Sequence, residues 1–158
     1  MEIIDRRVCA EMDGEFVVFL IGMRINKLWK VWTWLPVAFA MPRMLIELAK
    51  RPDLGLLHAR SHFGLRNVMV VQYWRSFEQL EAYAKSRESA HLPAWQSFNK
   101  AVGSNGDVGI WHETFLIAPG RYENVYNNMP RHGLGAAGQL VDAVQHRKDA
   151  RLRLQATT

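Results

Sequence analysis

A chain of 158 residues, 49% hydrophobic and 11% aromatic, carries enough apolar surface for one cored domain, which excludes disorder as a general description. Its longest charge-free apolar stretches, Phe16 to Met23 and Val31 to Pro42, fall short of the roughly 20 residues a bilayer span needs, so no membrane span is expected. Of the net charge of +5, the tail supplies +3 through Arg147, Lys148, Arg151 and Arg153 against Asp149, and the aromatics lie inside apolar runs, a pattern that argues against a nucleic-acid reader.

A single cysteine, Cys9, excludes an internal disulfide and reads as a small, reduced apolar residue. The first residues carry early acids and no apolar run leading to a cleavage site, so the expected compartment is the cytoplasm.

In chain order, residues 1–15 read as a polar N-terminal extension. Phe16 to Met23 is β-branched and aromatic, a strand apolar on both alternating faces, and such a strand needs cover on both sides. A helix is expected from about Pro36 or Pro42 to Arg51, because proline suits a first helical turn and not a helix interior. Leu56 to Phe63 alternates Leu57, Ala59 and Phe63 with His58, Arg60 and His62, as a half-exposed strand does. The short Gly64-Leu65-Arg66 link makes a hairpin with a third strand, Asn67 to Trp74.

Ser76-Phe77-Glu78-Gln79 is a capping box that opens a helix expected to reach Ala101, broken or kinked near Pro93. Val108 to Ile117 reads as a fourth strand with Ile110, His112, Thr114 and Leu116 on one face and Trp111, Glu113 and Phe115 on the other. Beyond Pro119 the chain is irregular until a short helix expected over 138–145, and the basic end reads as solvated.

Strand, helix, strand, strand, helix, strand is the split βαβ order, so the expected class is α+β with a ferredoxin-like antiparallel sheet over 16–118. Residues 119–145 form a C-terminal wrap in this reading, and 146–158 a basic tail. Helices would cover one sheet face only. A partner subunit's sheet is the simplest cover for the other, giving a homodimer with a barrel-like core.

Among the chemistry-bearing residues, His91 and His112 stand out, one on the second helix and one on the last strand, both among apolar neighbours. Each reads as a hydrogen-bonded core imidazole, as part of a haem pocket in which one imidazole is the axial ligand and a polar group stands opposite, or, for His112, as a general base. Trp74, Trp95 and Trp111 are candidates to line such a pocket. Arg24, next to Asn26 at the end of the first strand, reads equally as a carboxylate partner or as a group reaching into a cavity.

His58 and His62 lie about 13 Å apart along a strand and do not share a metal; the solvent-facing edge of a half-buried strand accounts for them. Gly133-Leu134-Gly135-Ala136-Ala137-Gly138 matches the dinucleotide-binding string, yet no βαβ unit fits around it and it reads as turn chemistry.

Phe16 to Asn26, Val71 to Glu81, His91-Leu92-Pro93-Ala94-Trp95 with Phe98-Asn99, Gly109 to Glu113 and Tyr126 to Pro130 together resemble a monooxygenase-like family of bacteria and fungi. That family is of the fumagillin-pathway type and was long labelled a domain of unknown function. It is similar to the dimeric α/β-barrel proteins that include the antibiotic-biosynthesis monooxygenases. Haem-containing aldoxime dehydratases share this barrel type, with an axial histidine on a helix and a distal histidine on a later strand.

The resemblance implies a homodimer binding haem b through His91 as the iron ligand, beside Trp95, Trp74 and Trp111. It further implies His112 as acid–base, helped by Arg24 and Asn26, with a small hydrophobic organic substrate. Its alternatives are a cofactor-free monooxygenase with Trp74, Trp95, Asn26 and His112 around the substrate, an aldoxime dehydratase-like lyase, and a non-catalytic haem-binding module.

Overall fold

The computed structural model of the protein describes residues 2–86, 96, 98, 99, 103 and 105–156. His91 and Trp95 lie outside these residues. The expected order appears as β2 (Phe16–Ile25), α1 (Val31–Lys50), β3 (Leu56–Phe63), β4 (Asn67–Trp74), α2 (Phe77–Lys85) and β5 (Val108–Ile117), preceded by β1 (Ile4–Glu11). After them come β6 (Tyr126–Met129), α3 (Leu134–Ala137), β7 (Gln139–Asp142) and α4 (Ala150–Ala156). One antiparallel sheet runs β3-β4-β2-β5 and a second runs β6-β1-β7. The class is α+β, with the ferredoxin-like sheet in place.

β2 is central because both of its faces are apolar. Its odd positions point to the helices: Val17 joins Leu48, Trp74, Leu80 and Tyr83 in one core, and Met23 and Ile25 join Val108 in another. Its even positions point away, and there Phe16 packs with Ala10 and Leu134, with Val18, Tyr73 and Tyr126 beside them. The second sheet therefore covers the Phe16 end of the outer face within the chain. The expectation that this face lacks any cover within the chain is corrected for the Phe16 end; on β5, Phe115 opposite Val18 and Trp111 opposite Gly22 remain exposed on the same face.

Four element expectations also change. Residues 4–11 are a strand rather than an extension, with Val8, Cys9 and Ala10 all buried between β6 and β7. Helix α1 begins at Val31 and runs through Pro36 and Pro42, both of them exposed. Helix α2 has the expected Ser76 cap, whose Oγ accepts from Gln79 N–H at 3.3 Å, but it ends at Lys85, where Ser86 turns extended. Where a helix was expected over 138–145, α3 precedes the strand β7.

The tail is not a solvated end either. Arg153 is 5% exposed and donates to both carboxylate oxygens of Glu123 from Nη2 at 3.1 Å, while Arg147 pairs with Glu11 at 2.6 Å.

The turn from β2 into α1 is tied to the start of β5 by Asp107, which is 1% exposed and ion-paired to Lys27 at 2.6 Å and Lys30 at 2.8 Å. Hydrogen bonds from these two ammonium groups hold its carboxyl below the ordinary carboxylate range. A group depressed in the folded state contributes stability above its unfolded pKa and loses it as pH falls through the folded value. Asp107→Asn is therefore expected to be less stable than the wild type at neutral pH, with the gap closing below about pH 4. Thermal melts of both proteins across that range check this; a gap constant with pH contradicts it.

Candidate functional site

Strand β5 divides the expected site residues between two faces, because neighbours on a strand point in opposite directions. His112 pairs with Ile21 and points to the helix side, where its ring lies 5.6 Å from that of Phe19 at 39°. Thr114 stands opposite Phe19, and Leu116 opposite Val17. All three β5 residues are exposed, while Phe19 and Ile21 are half-buried, so this edge of the sheet is an apolar shelf bearing one imidazole and one hydroxyl. His112 is the only ionisable side chain that the described strands of this sheet present on the helix side.

Trp74 shares that side but belongs to the core. It is 1% exposed, its Nε1 donates to Gln72 Oε1 at 2.8 Å, and its ring lies 5.8 Å from Tyr83. It supports the shelf from beneath rather than lining it.

Trp111 and Arg24 occupy the opposite face. The Trp111 indole lies across Gly22 of β2, where an added Cβ would sit 2.6–2.7 Å from the ring, so a glycine is required for the aromatic to lie flat on the sheet. Beside it a hollow of about 320 Å³ is lined by His62, Phe63, Asn67, Val68, Met69 and Trp111. Arg24 is exposed and its Nη1 donates to Asn67 Oδ1 at 3.3 Å. Asn26 is exposed where β2 ends, with its backbone N–H on the Asp107 carbonyl at 3.0 Å. The structure thus groups Trp111 with Arg24, and separates both from His112 and Trp74.

Gly22→Ala is expected to destabilise the protein by about 1–3 kcal/mol, because the new methyl must push the Trp111 ring off the sheet. In a Trp111→Ala background the same change should have almost no cost. A double-mutant cycle read by chemical denaturation checks it, and equal costs in both backgrounds would contradict the packing.

The histidines of β3, read from the sequence as a solvent-facing strand edge, are instead packed: His58 is half-buried and His62 gains His132 as a neighbour. On the outer face of β3 and β4, the His58 ring lies 6.5 Å from that of Tyr73, and the His62 ring meets His132 edge-on at 6.3 Å. Burial, then the Arg60 charge, pushes both the His58 and His132 pKa values down, which favours neutral imidazoles. His132 arrives from the segment before α3, and no local spacing announces it. The glycine string has its role here: at φ +55°, Gly133 would place a Cβ 3.2 Å from Tyr73 Oη, and the Gly135 N–H donates to Tyr126 Oη at 3.2 Å. It seats a turn over two tyrosine hydroxyls.

Among the described residues, no three His, Cys, Asp or Glu side chains converge as a metal-ion site, and no helix is long and apolar enough to cross a membrane.

The family model for monooxygenase af470-like proteins matches residues 16–134. Monooxygenase af470 of Aspergillus fumigatus is 31% identical over 123 residues, covering 73% of this chain and 43% of that protein. Among solved structures, aldoxime dehydratase OxdRE in complex with butyraldoxime superposes with a TM-score of 0.65 at 16% identity, over 96% of this chain and 42% of that one. Another aldoxime dehydratase gives 0.63 at 18% identity, over 96% of this chain and 43% of that one. At these identities the structures show a shared fold. The chain spans less than half the length of each of these relatives.

Proposed function

Because the chain belongs to the monooxygenase af470-like family, we propose that it is an oxidoreductase that takes a small hydrophobic organic substrate on the shelf of Phe19, Ile21 and Leu116. In this reading His112 is the acid–base residue. The observation that carries it is the placement of His112: a lone imidazole at the edge of an apolar surface, stacked near Phe19 and open on its far side. An imidazole there can take a proton from a substrate held against the apolar side chains and return it.

Haem b is the cofactor that the resemblance implies, and the described residues fit it. A flat macrocycle needs an apolar surface with few polar groups, and this shelf offers Phe19, Ile21 and Leu116 with only His112 and Thr114 as polar neighbours. His91 is the residue proposed to hold the iron and Trp95 to line the same site, and His112 would supply a proton there. When bound, haem supplies the redox and Lewis-acid chemistry of its iron, and the chain supplies the socket, the ligand and the distal proton. Arg24, Asn26 and Trp111 lie on the outer face, and we assign them to a homodimer contact in which the exposed Trp111 and Phe115 meet a second copy.

The test is turnover by hemin-loaded protein offered small hydrophobic aldoximes and electron-rich phenols under air. His112→Ala is expected to keep its haem spectrum and lose about 10² or more in kcat, the usual share of a positioned acid–base group. Undiminished turnover in His112→Ala would overturn the assignment.

A further inference from the structure

Helix α1 is apolar on the wrong side. Its inner face is accounted for by Met44 and Leu48, which are buried, and by Trp34, Val37 and Ala38, which pack against the Met23 core. A surface helix of this kind ordinarily turns a polar face to water. Here the outward positions, spaced three or four apart, are Trp32, Leu35, Phe39, Pro42 and Ile46, with Trp32 72% and Phe39 57% exposed. Trp29, just before the helix, is exposed as well. The stripe runs most of the length of a 20-residue helix, about 30 Å.

The charges around the stripe are mostly positive. The charged residues on the exposed side of α1 are Arg43 and Lys50, both cationic, and Lys27 and Lys30 flank its start with only Asp107 between them. The single acid of the helix, Glu47, faces inward and accepts from Tyr83 Oη at 2.9 Å. Set against Asp107, Lys27 and Lys30 leave one positive charge, and the exposed Arg43 and Lys50 add two more, whereas Arg51 is paired with Asp53 and Arg24 lies on the outer sheet face. A second copy laid on this stripe would bring cation against cation. An anionic lipid surface satisfies both features at once: its acyl boundary takes the aromatic stripe and its headgroups take the lysines and arginines.

We propose that α1 lies in the plane of an anionic membrane surface, docked by Trp29, Trp32, Phe39 and Ile46 and held electrostatically by the flanking cations. Such docking is peripheral, since no helix among the described residues is long and apolar enough to cross. It is independent of the haem and of His112, because α1 contributes its other face to the core.

The experiment is co-sedimentation of the full chain with phosphatidylcholine vesicles, with and without phosphatidylserine. The wild type is expected to pellet with the phosphatidylserine vesicles, to do so less at high salt, and to remain mostly in solution with phosphatidylcholine alone. Trp32→Glu with Phe39→Glu is expected to lower the partition coefficient at least about tenfold, the scale set by removing large apolar side chains from the boundary. Both positions are exposed and glutamate suits a helix, so the circular dichroism should not change. Arg43→Gln should weaken only the phosphatidylserine-dependent part. Wild type that stays in solution with phosphatidylserine vesicles would overturn the proposal, as would a double variant that pellets equally well. A double variant that falls from dimer to monomer by light scattering, with no vesicle binding by the wild type, would assign the stripe to a second copy instead.

Discussion

Trp74→Ala is expected to destabilise the protein by about 3–5 kcal/mol through the cavity alone, the largest stability loss of any single substitution considered. The indole sits where four elements meet, between Val17 of β2, Leu48 of α1, and Leu80 and Tyr83 of α2. Removing it opens a void that these side chains do not close. It also strips the 2.8 Å hydrogen bond from Gln72 Oε1, and Gln72 is itself buried, so an acceptor is left without its donor.

A chain of this size loses roughly 2–4 °C of melting temperature per kcal/mol, so a drop on the order of 10 °C is the expected thermal readout. Trp74→Phe separates the two contributions, because it keeps most of the volume and removes only the donor; its cost should be about 1–3 kcal/mol. A Trp74→Ala melt indistinguishable from wild type would show that the core beneath the shelf is not centred on this residue.

Much of the central sheet was legible because its strands are long and regular. Phe16 to Met23 is a continuous β-branched and aromatic run, the His58/Arg60/His62 alternation and the two faces of Val108 to Ile117 show a period of two, and the Ser76 capping box marks the start of α2. β1 was missed because Arg6 and Arg7 turn outward while Val8, Cys9 and Ala10 are buried in succession between two partner strands, which erases the alternation. β6 and β7 are four residues each, too short to show a period, and their pairing with β1 is set by contacts across the whole chain. The prolines misplaced the start of α1 because their cost is local, a lost donor and a crowded preceding turn, and here the packing of Trp34, Val37, Ala38, Met44 and Leu48 holds the helix through them.

The candidate site was legible in part. Alternation alone puts His112 and Trp111 on opposite faces; that His112 is on the helix side is shown only by its pairing with Ile21 of β2. What the pattern did not show is that Trp74 is consumed by the core, since an indole donor on a strand looks the same whether it meets Gln72 or a ligand. Nor did it show His132 arriving beside His62, a juxtaposition made only by tertiary folding. The exposed stripe of α1 was visible as an apolar run, but only the packing of its inner face reveals that the outer one lacks cover.

The second large effect concerns His91. If this imidazole holds the iron, no other described histidine replaces it: His112 sits on the shelf beside Phe19, His58, His62 and His132 lie on the outer face, and His146 is exposed beside Arg147 near the C-terminus. His91→Ala is accordingly expected to abolish specific haem binding rather than to weaken it, whereas His112→Ala should retain the cofactor with an altered distal environment. The most direct test is a visible-absorption titration of the purified chain with hemin, run in parallel on wild type, His91→Ala and His112→Ala. The account predicts a sharp Soret band that saturates at one haem per chain in wild type and His112→Ala and is absent in His91→Ala. A featureless, non-saturating spectrum in the wild type, or the same saturable band in His91→Ala, would contradict it.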